Sequence, residues 1–266
     1  MKKKLLNIVA VQCDLQWEDL SANFAFVKEV VEHHAQNADL LIFPEMFLTG
    51  YTMNTRLCAV SMNSKEVQSL SRLAIENRVA IAGSLSVEED ATCFNRFLWL
   101  DPSGSIQFYD KKHLFTYAKE QEHYTAGSQN LVVAYKGWNI ACFICYDLRF
   151  PVWTRNANVD TTRGYDVAIF VANWPAKRSS AWSALLKARA IENQSYVVGV
   201  NRTGVDGNQL QYNGDSVVLD WEGNSIGLEL KDKGGSIIKG VLSEKELLGA
   251  RTLFPVLNDA DKFEIK

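Results

Sequence analysis

LLNIVAVQCDLQWEDLSANFAFVKEVVEHHAQNADLLIFPE, residues 5–45, decides the fold class. Residues 5–11 are apolar and partly β-branched; Leu20, Phe24, Val27, Val31 and Ala35 then recur at helical spacing, and residues 40–43 form a second apolar run. That is strand, helix, strand, the unit of a parallel α/β sheet. Outward from it the alternation continues. Val67, Leu70, Leu73 and Ala74 mark a second amphipathic helix, followed by a buried strand at 79–82. Residues 94–100 and 105–109 flank Asp101-Pro102-Ser103-Gly104, with Pro and Gly placed for a type I turn, and read as a hairpin. Runs at 140–144 and 167–171 are of strand type. Trp182, Leu185, Leu186 and Arg189 share a helical face leading into a strand at 196–200. Residues 202–215 are polar and Gly-rich and read as a loop, and Trp221-Glu222-Gly223-Asn224 as a turn between paired strands. No repeat and no Pro/Ser-rich linker divides the chain, so residues 1–266 are expected to form one α/β domain, with 251–266 as a C-terminal arm.

Composition sets the outer limits. The 266 residues are 47% hydrophobic and 22% charged with net charge −3, which disfavours disorder, a collagen-like fibre and a nucleic-acid footprint. Small molecules are the expected partners, with no nucleic acid and no membrane. The basic residues 2–4 before an apolar run mimic a signal peptide, but Asn7 interrupts the run and no small-residue cleavage site follows. Five scattered cysteines, at 13, 58, 93, 142 and 145, suit free thiols in a reducing compartment, so a cytoplasmic location is expected.

Ligands in layered α/β proteins gather beyond the carboxyl ends of strands. Four apolar runs end in suitable groups: Pro44-Glu45, Asp110-Lys111-Lys112-His113, Cys145-Tyr146-Asp147 and Ala172-Asn173-Trp174. Together they would bring a carboxylate, an ammonium, a thiol and an amide to one rim, the equipment of acyl transfer. An unactivated thiol is only a few per cent thiolate at neutral pH, so Cys145 needs a base. Pro151 suits the first turn of a following helix, which gives a strand-turn-helix setting for that thiol. Lys111 and Lys112 alternate across a strand, so one faces the site and the other water; spacing does not choose between them. Cys142 and Cys145 form a C-x-x-C, but positions three apart on a strand face opposite sides, which opposes a redox pair or half a metal site. His33 and His34 lie on a helix without matching ligands, and no metal is expected.

With these residues assembled, the sequence resembles the nitrilase superfamily of carbon-nitrogen hydrolases. The matches are FPEMFLTGY at 43–51, DKKHLF at 110–115 and CYDLRFP at 145–151. The resemblance implies a Glu-Lys-Cys triad of Glu45, Lys111 and Cys145, choosing Lys111 over Lys112. It places an auxiliary glutamate at Glu120, seven before Gly127, with Glu122 as the alternative. ANWP at 172–175 and RAIENQ at 189–194 look like the ω-amidase branch, which acts on ω-amides of small dicarboxylic acids such as 2-oxoglutaramate. A deaminated glutathione amidase or an N-carbamoyl hydrolase is the neighbouring alternative. The fold implied is an α-β-β-α sandwich, dimerised or in a higher homo-oligomer, without metal or organic cofactor.

On this resemblance Glu45 takes the Cys145 proton, and Lys111 with the Tyr146 backbone N–H holds the oxyanion. Arg149 is a candidate for a substrate carboxylate. Trp174, Phe47, Tyr51 and Tyr117 are candidate pocket walls. Arg189 is expected in a buried ion pair or a dimer contact. His113 and His123 would serve a Cys-His hydrolase instead, and Cys142 with Cys145 a thiol redox protein; neither uses Glu45 or Lys111.

Overall fold

A computed structural model describes residues 4–156, 164–232, 234–261 and 263–264. Residues 1–3 of the basic start and 262, 265 and 266 of the C-terminal arm lie outside them. Along the chain run β1 (Leu5–Cys13), α1 (Leu20–His34), β2 (Leu40–Ile42), α2 (Thr55–Cys58), α3 (Lys65–Asn77), β3 (Ala80–Glu89), β4 (Thr92–Leu100), β5 (Ile106–Asp110), β6 (Val132–Tyr135) and β7 (Trp138–Ile144). There follow β8 (Val167–Ala172), α4 (Ser179–Asn193), β9 (Tyr196–Asn201), β10 (Thr203–Val205), β11 (Gln211–Asn213), β12 (Val217–Leu219), β13 (Leu228–Asp232), β14 (Gly235–Ser243) and α5 (Glu244–Leu253).

Local chemistry sets these elements. Asp19 caps α1 by accepting from the Ala22 N–H at 2.9 Å, and Ser64 caps α3. Side-chain alternation along β1 then fixes the layers. Leu6, Ile8 and Ala10 join residues of β7, β8 and β9 in one core, whereas Val9, Val11 and Cys13 face Val27 and Val31 of α1 and Leu70 and Ala74 of α3. One face of the first sheet thus meets a second sheet and the other meets helices. On the far side, α4 lies so close to β9 that a Cβ at Gly199 would stand 2.4 Å from Leu186 Cδ1. The result is an α-β-β-α sandwich.

The first sheet has the order β13-β14-β1-β2-β3-β4-β5, with β1, β2 and β3 parallel; the second has the order β12-β9-β8-β7-β6, with β7, β8 and β9 parallel. The carboxyl ends of β2, β7 and β8 carry Glu45, Cys145 and Asn173. The 94–109 hairpin forms as expected, with Leu98 opposite Phe108.

Three local expectations need correction. Residues 202–215 are not a plain loop: β10 and β11 pair as a hairpin, anchored where Arg202 Nη2 donates to Asp14 Oδ1 at 2.8 Å and where Asp206 accepts from the Asn208 and Leu210 N–H groups and the Tyr212 hydroxyl. The turn at 221–224 returns the chain only to a single bridge, Leu219 with Ser225, before it crosses to the first sheet as β13. Pro151 opens no helix; a 3-10 turn, Cys145–Arg149, starts directly at the cysteine. The closing segment begins inside α5, where Arg251 pairs with Asp166 and donates to the Tyr165 and Gln194 carbonyls. No helix among the described residues is long and apolar enough to cross a membrane.

Candidate active site

Glu45, Lys111 and Glu120 are all fully buried and in direct contact. Lys111 Nζ donates to Glu45 Oε1 at 2.8 Å and to Glu120 Oε1 and Oε2 at 3.1 and 3.0 Å. An ammonium taken out of water is costly unless it is paired and hydrogen-bonded, and here it is both. Burial alone would push the Lys111 pKa down, but the Glu120 and Glu45 charges outweigh it and hold the ammonium well above its ordinary value.

Asn95 of β4 ties the two carboxylates together, its Nδ2 donating to Glu45 Oε1 at 2.8 Å and to Glu120 Oε1 at 3.1 Å. Its orientation is set from behind. The Met46 N–H donates to Ser84 Oγ, whose hydroxyl donates to Asn95 Oδ1, each at 2.9 Å. Glu45 Oε2 accepts the Asn173 backbone N–H at 2.8 Å, and the Glu45 carbonyl accepts Asn173 Nδ2 at 2.5 Å. Glu120 also accepts the Phe115 N–H at 2.6 Å. A Cβ at Gly127 would sit 2.2 Å from the Asp110 carbonyl oxygen, so only glycine lets the chain after Glu120 pass this close to the lysine strand.

Cys145 sits at the turn out of β7 with φ +45°, a left-handed conformation that costs a non-glycine residue about 1–3 kcal/mol. Asp147, fully buried, holds the turn: its Oδ2 accepts from the Ile144 N–H at 3.0 Å and the Tyr109 hydroxyl at 2.7 Å, and its Oδ1 accepts the His113 N–H at 3.0 Å and lies 2.8 Å from His113 Nδ1. The Arg189 guanidinium adds a bond to the Leu148 carbonyl at 2.7 Å and pairs with Glu192 at 2.8 Å, so it is a buried ion pair inside one chain. The thiol lies within the electrostatic reach of Glu45, Lys111 and Glu120. Burial, then the Glu45 charge, raise its pKa well above the ordinary thiol value, while Lys111 pulls the other way. The resting group is therefore a thiol with the Glu45 carboxylate nearby.

These groups border a cavity of about 510 Å³. Tyr51, Lys111, Cys145 and Asn173 line it together with the rings of Phe115, Tyr117, Tyr146 and Trp174 and the hairpin residues 209–212. Arg149, Lys177 and Arg178 line it as well, and no Asp or Glu does among the described residues. The Arg149 guanidinium lies 4.9 Å from the Trp174 ring centroid.

The expected site residues mostly converge here. Phe47 does not: it is buried against Phe43, ring centroids 5.2 Å apart, in the core under α1 and α3, because the chain after Glu45 turns back over β3 before reaching Tyr51. Glu122, two residues past Glu120, points outward to Lys119. Lys112 faces away, its Nζ over the Trp153 ring. His113 is engaged with Asp147 and stacked on Phe150, and the cavity lining includes neither it nor His123. Cys142 is buried in the inter-sheet core, and all five cysteines are free thiols. No cluster of three or more His, Cys, Asp or Glu among the described residues is placed to hold a metal ion. Ser84 and Asn95 go unmarked in the sequence, where only a polar residue inside an apolar run could flag them, and Asp147 stands in the strand-end group after Cys145 without a role of its own.

Comparison with known proteins follows the same line. The carbon-nitrogen hydrolase family model matches residues 7–238. The chain is 41% identical to the omega-amidase YafV of Escherichia coli K12, covering 98% of each, and 31% identical to the 2-oxoglutaramate amidase of Bacillus subtilis, covering 96% of this chain and 97% of that one. The crystal structure of XC1258 from Xanthomonas campestris, a CN-hydrolase superfamily protein with an arsenic adduct in its active site, superposes over 100% of both chains with a TM-score of 0.94 at 39% identity. A family match across most of the chain and full-length relatives of this similarity decide the matter: this chain belongs to the carbon-nitrogen hydrolase family of the nitrilase superfamily.

Proposed function

We propose that the protein is an ω-amidase that hydrolyses the ω-amide of a small dicarboxylic acid monoamide, of the 2-oxoglutaramate or 2-oxosuccinamate type, to the acid and ammonia. The observation that carries this is the Cys145 thiol near Glu45 and the Lys111 ammonium, bordering a cavity whose other charged residues are all cationic. The full-length similarity to an omega-amidase and a 2-oxoglutaramate amidase supports it. Glu45 takes the thiol proton as Cys145 Sγ attacks the amide carbonyl carbon. Lys111 and the Tyr146 backbone N–H hold the oxyanion. As the tetrahedral adduct collapses, the C–N bond breaks and Glu45 returns the proton to the nitrogen, so ammonia leaves and a thioester remains. Water, deprotonated by Glu45, then attacks the thioester carbonyl, the C–S bond breaks and Glu45 returns the proton to Cys145 Sγ, while Glu120 keeps Lys111 in place. Arg149 receives the free carboxylate of the substrate, with Trp174, Tyr51, Tyr146 and Tyr117 as walls.

An ammonia-release panel of 2-oxoglutaramate, succinamate, a nitrile and deaminated glutathione, run beside Cys145→Ala, tests this reading. Preferred turnover of the two ω-amides and none by the variant are expected; preference for the nitrile, or an active variant, refutes it. The same reading takes the chain as one domain that acts as a homodimer in the cytoplasm, and light scattering on the purified protein checks the dimer.

A further inference from the structure

We infer that Asn173 and Tyr51 form a pair that reads an unsubstituted amide: Asn173 Oδ1 accepts a hydrogen bond from the substrate NH2 group, and the Tyr51 hydroxyl donates one to the substrate carbonyl oxygen. The inference rests on the amide-hydrolase reading above and names the residues that recognise its amide group.

Asn173 Oδ1 is buried without a hydrogen-bond partner, the Tyr51 hydroxyl is buried with the Glu120 carboxylate beside it, and both residues line the cavity that holds Cys145 and Lys111. Buried polar atoms in folded proteins are nearly always satisfied, so an orphan acceptor in the wall of the nucleophile's cavity points to a ligand that completes it. The neighbouring polar groups are already engaged. Asn95 bridges the two carboxylates, Ser84 lies behind Asn95, and Lys111, bound to Glu45 and Glu120, is reserved for the oxyanion.

The direction of the Asn173 amide follows from its partner. Nδ2 lies 2.5 Å from the Glu45 carbonyl oxygen, and a flipped amide would set two acceptors against each other. Oδ1 is thus the open end, and it can only accept. Tyr51 supplies the opposite sense. Burial, then the Glu120 and Glu45 charges, raise its pKa, so the hydroxyl keeps its proton, which faces Glu120 at rest and turns to the carbonyl oxygen of a bound substrate.

A primary amide carries the inverse of this pair, a carbonyl acceptor and N–H donors on adjacent atoms. An ester has the carbonyl but presents only an alkoxy oxygen to Asn173, and a carboxylate presents acceptors alone. Asn173 therefore favours the substrate over an ester of the same acid and over its own carboxylate product. A polar site that loses its partner in this way discriminates more strongly than an apolar wall does.

Calorimetric titration of the Cys145→Ala protein separates recognition from chemistry. Succinamate should bind about tenfold or more tighter than succinate monomethyl ester, the scale of one buried hydrogen bond replaced by an acceptor clash. Adding Asn173→Ala should bring the two within about twofold while leaving ester binding near its former value. Adding Tyr51→Phe should weaken amide and ester alike, keep their ratio and leave the melting temperature near that of the Cys145→Ala protein, which general damage to the fold would not. Equal binding of amide and ester by the Cys145→Ala protein, or a preference that survives Asn173→Ala, overturns the pair; if Asn173→Ala does not fold, the parental ratio and the Tyr51→Phe pattern still decide. Butyramide and methyl butyrate form the control pair. A preference there with no binding of succinamate removes the dicarboxylate reading and leaves the pair standing, whereas binding of neither amide overturns both.

Discussion

Replacing Lys111 by Met removes the one cation that lets two buried carboxylates share a dry site. The side chain loses contacts of 2.8, 3.0 and 3.1 Å to Glu45 and Glu120, all of them closed to solvent. Breaking a buried pair by removing one partner costs about 3–5 kcal/mol, because the surviving charge is left uncompensated. For a chain of this size that lowers the melting temperature by about 6–20 °C at pH 8. The deficit should depend on pH. Without the ammonium, the two carboxylates bridged by Asn95 cannot both stay ionised, so one binds a proton more tightly in the folded variant than in the unfolded chain. A group with a raised folded-state pKa gives stability at low pH that is lost as pH rises, so the gap from the parent should narrow from pH 8 towards pH 5.5. Thermal melts of both proteins across that range measure it. Ammonia release should fall by about 10²–10³ from the lost oxyanion donor alone. A stability gap independent of pH, or activity within tenfold of the parent, would refute the reasoning.

Other outcomes follow from the same geometry. Tyr117 is exposed at the cavity rim, so Tyr117→Ala should alter KM for 2-oxoglutaramate without moving the melting temperature, whereas Phe47→Ala should cost about 3–5 kcal/mol in denaturant unfolding with no specific change in KM. Asp147→Asn leaves one oxygen to serve donors now spread over two, so the turn that holds Cys145 should loosen and kcat fall more than substrate affinity does, read from steady-state kinetics. Burial and Glu45 raise the Cys145 thiol, and the two carboxylates raise Lys111, so both groups hold their protons more tightly folded than unfolded. Stability from them is full below the ordinary thiol range and declines as pH climbs through it, so melting temperatures should fall above about pH 9, less steeply in Cys145→Ala.

The strand ends were legible because each apolar run stops abruptly at a polar residue: Phe43 before Glu45, Ile144 before Cys145 and Ala172 before Asn173. Parallel pairing then does the rest, since β7 and β8 deliver Cys145 and Asn173 from adjacent strands. Asn95 and Ser84 left no such mark. Each is a polar residue inside a buried strand, and its meaning lies in partners 50, 25 and 11 positions away, which no local pattern encodes. Residues 43–54 have no periodicity, so Phe47 and Tyr51 looked equivalent as pocket walls although one enters the core and the other the cavity. The hairpin of β10 and β11 escaped for another reason: its three-residue strands are held by Arg202 and Asp206, which in sequence read only as loop polarity.

The division of labour between the sheets explains why the site needs so many buried polar bonds. The base, the ammonium and their Asn95 bridge belong to the first sheet and the loops that leave it; the nucleophile and Asn173 belong to the second. An apolar sheet-sheet contact fixes spacing but tolerates small slips, since dispersion and hydrophobic burial are not directional. Hydrogen bonds across the seam are directional. Asn173 joins both the backbone and the side chain of Glu45, and Asp147 joins the Cys145 turn to Tyr109 and His113 beside the lysine strand. These two clamps set the distance from thiol to carboxylate. A substitution in either clamp should therefore harm turnover well before it unfolds the sandwich, and a substitution in the inter-sheet core, such as Ile140→Val, should cost about 0.5–1.5 kcal/mol while leaving kcat nearly unchanged.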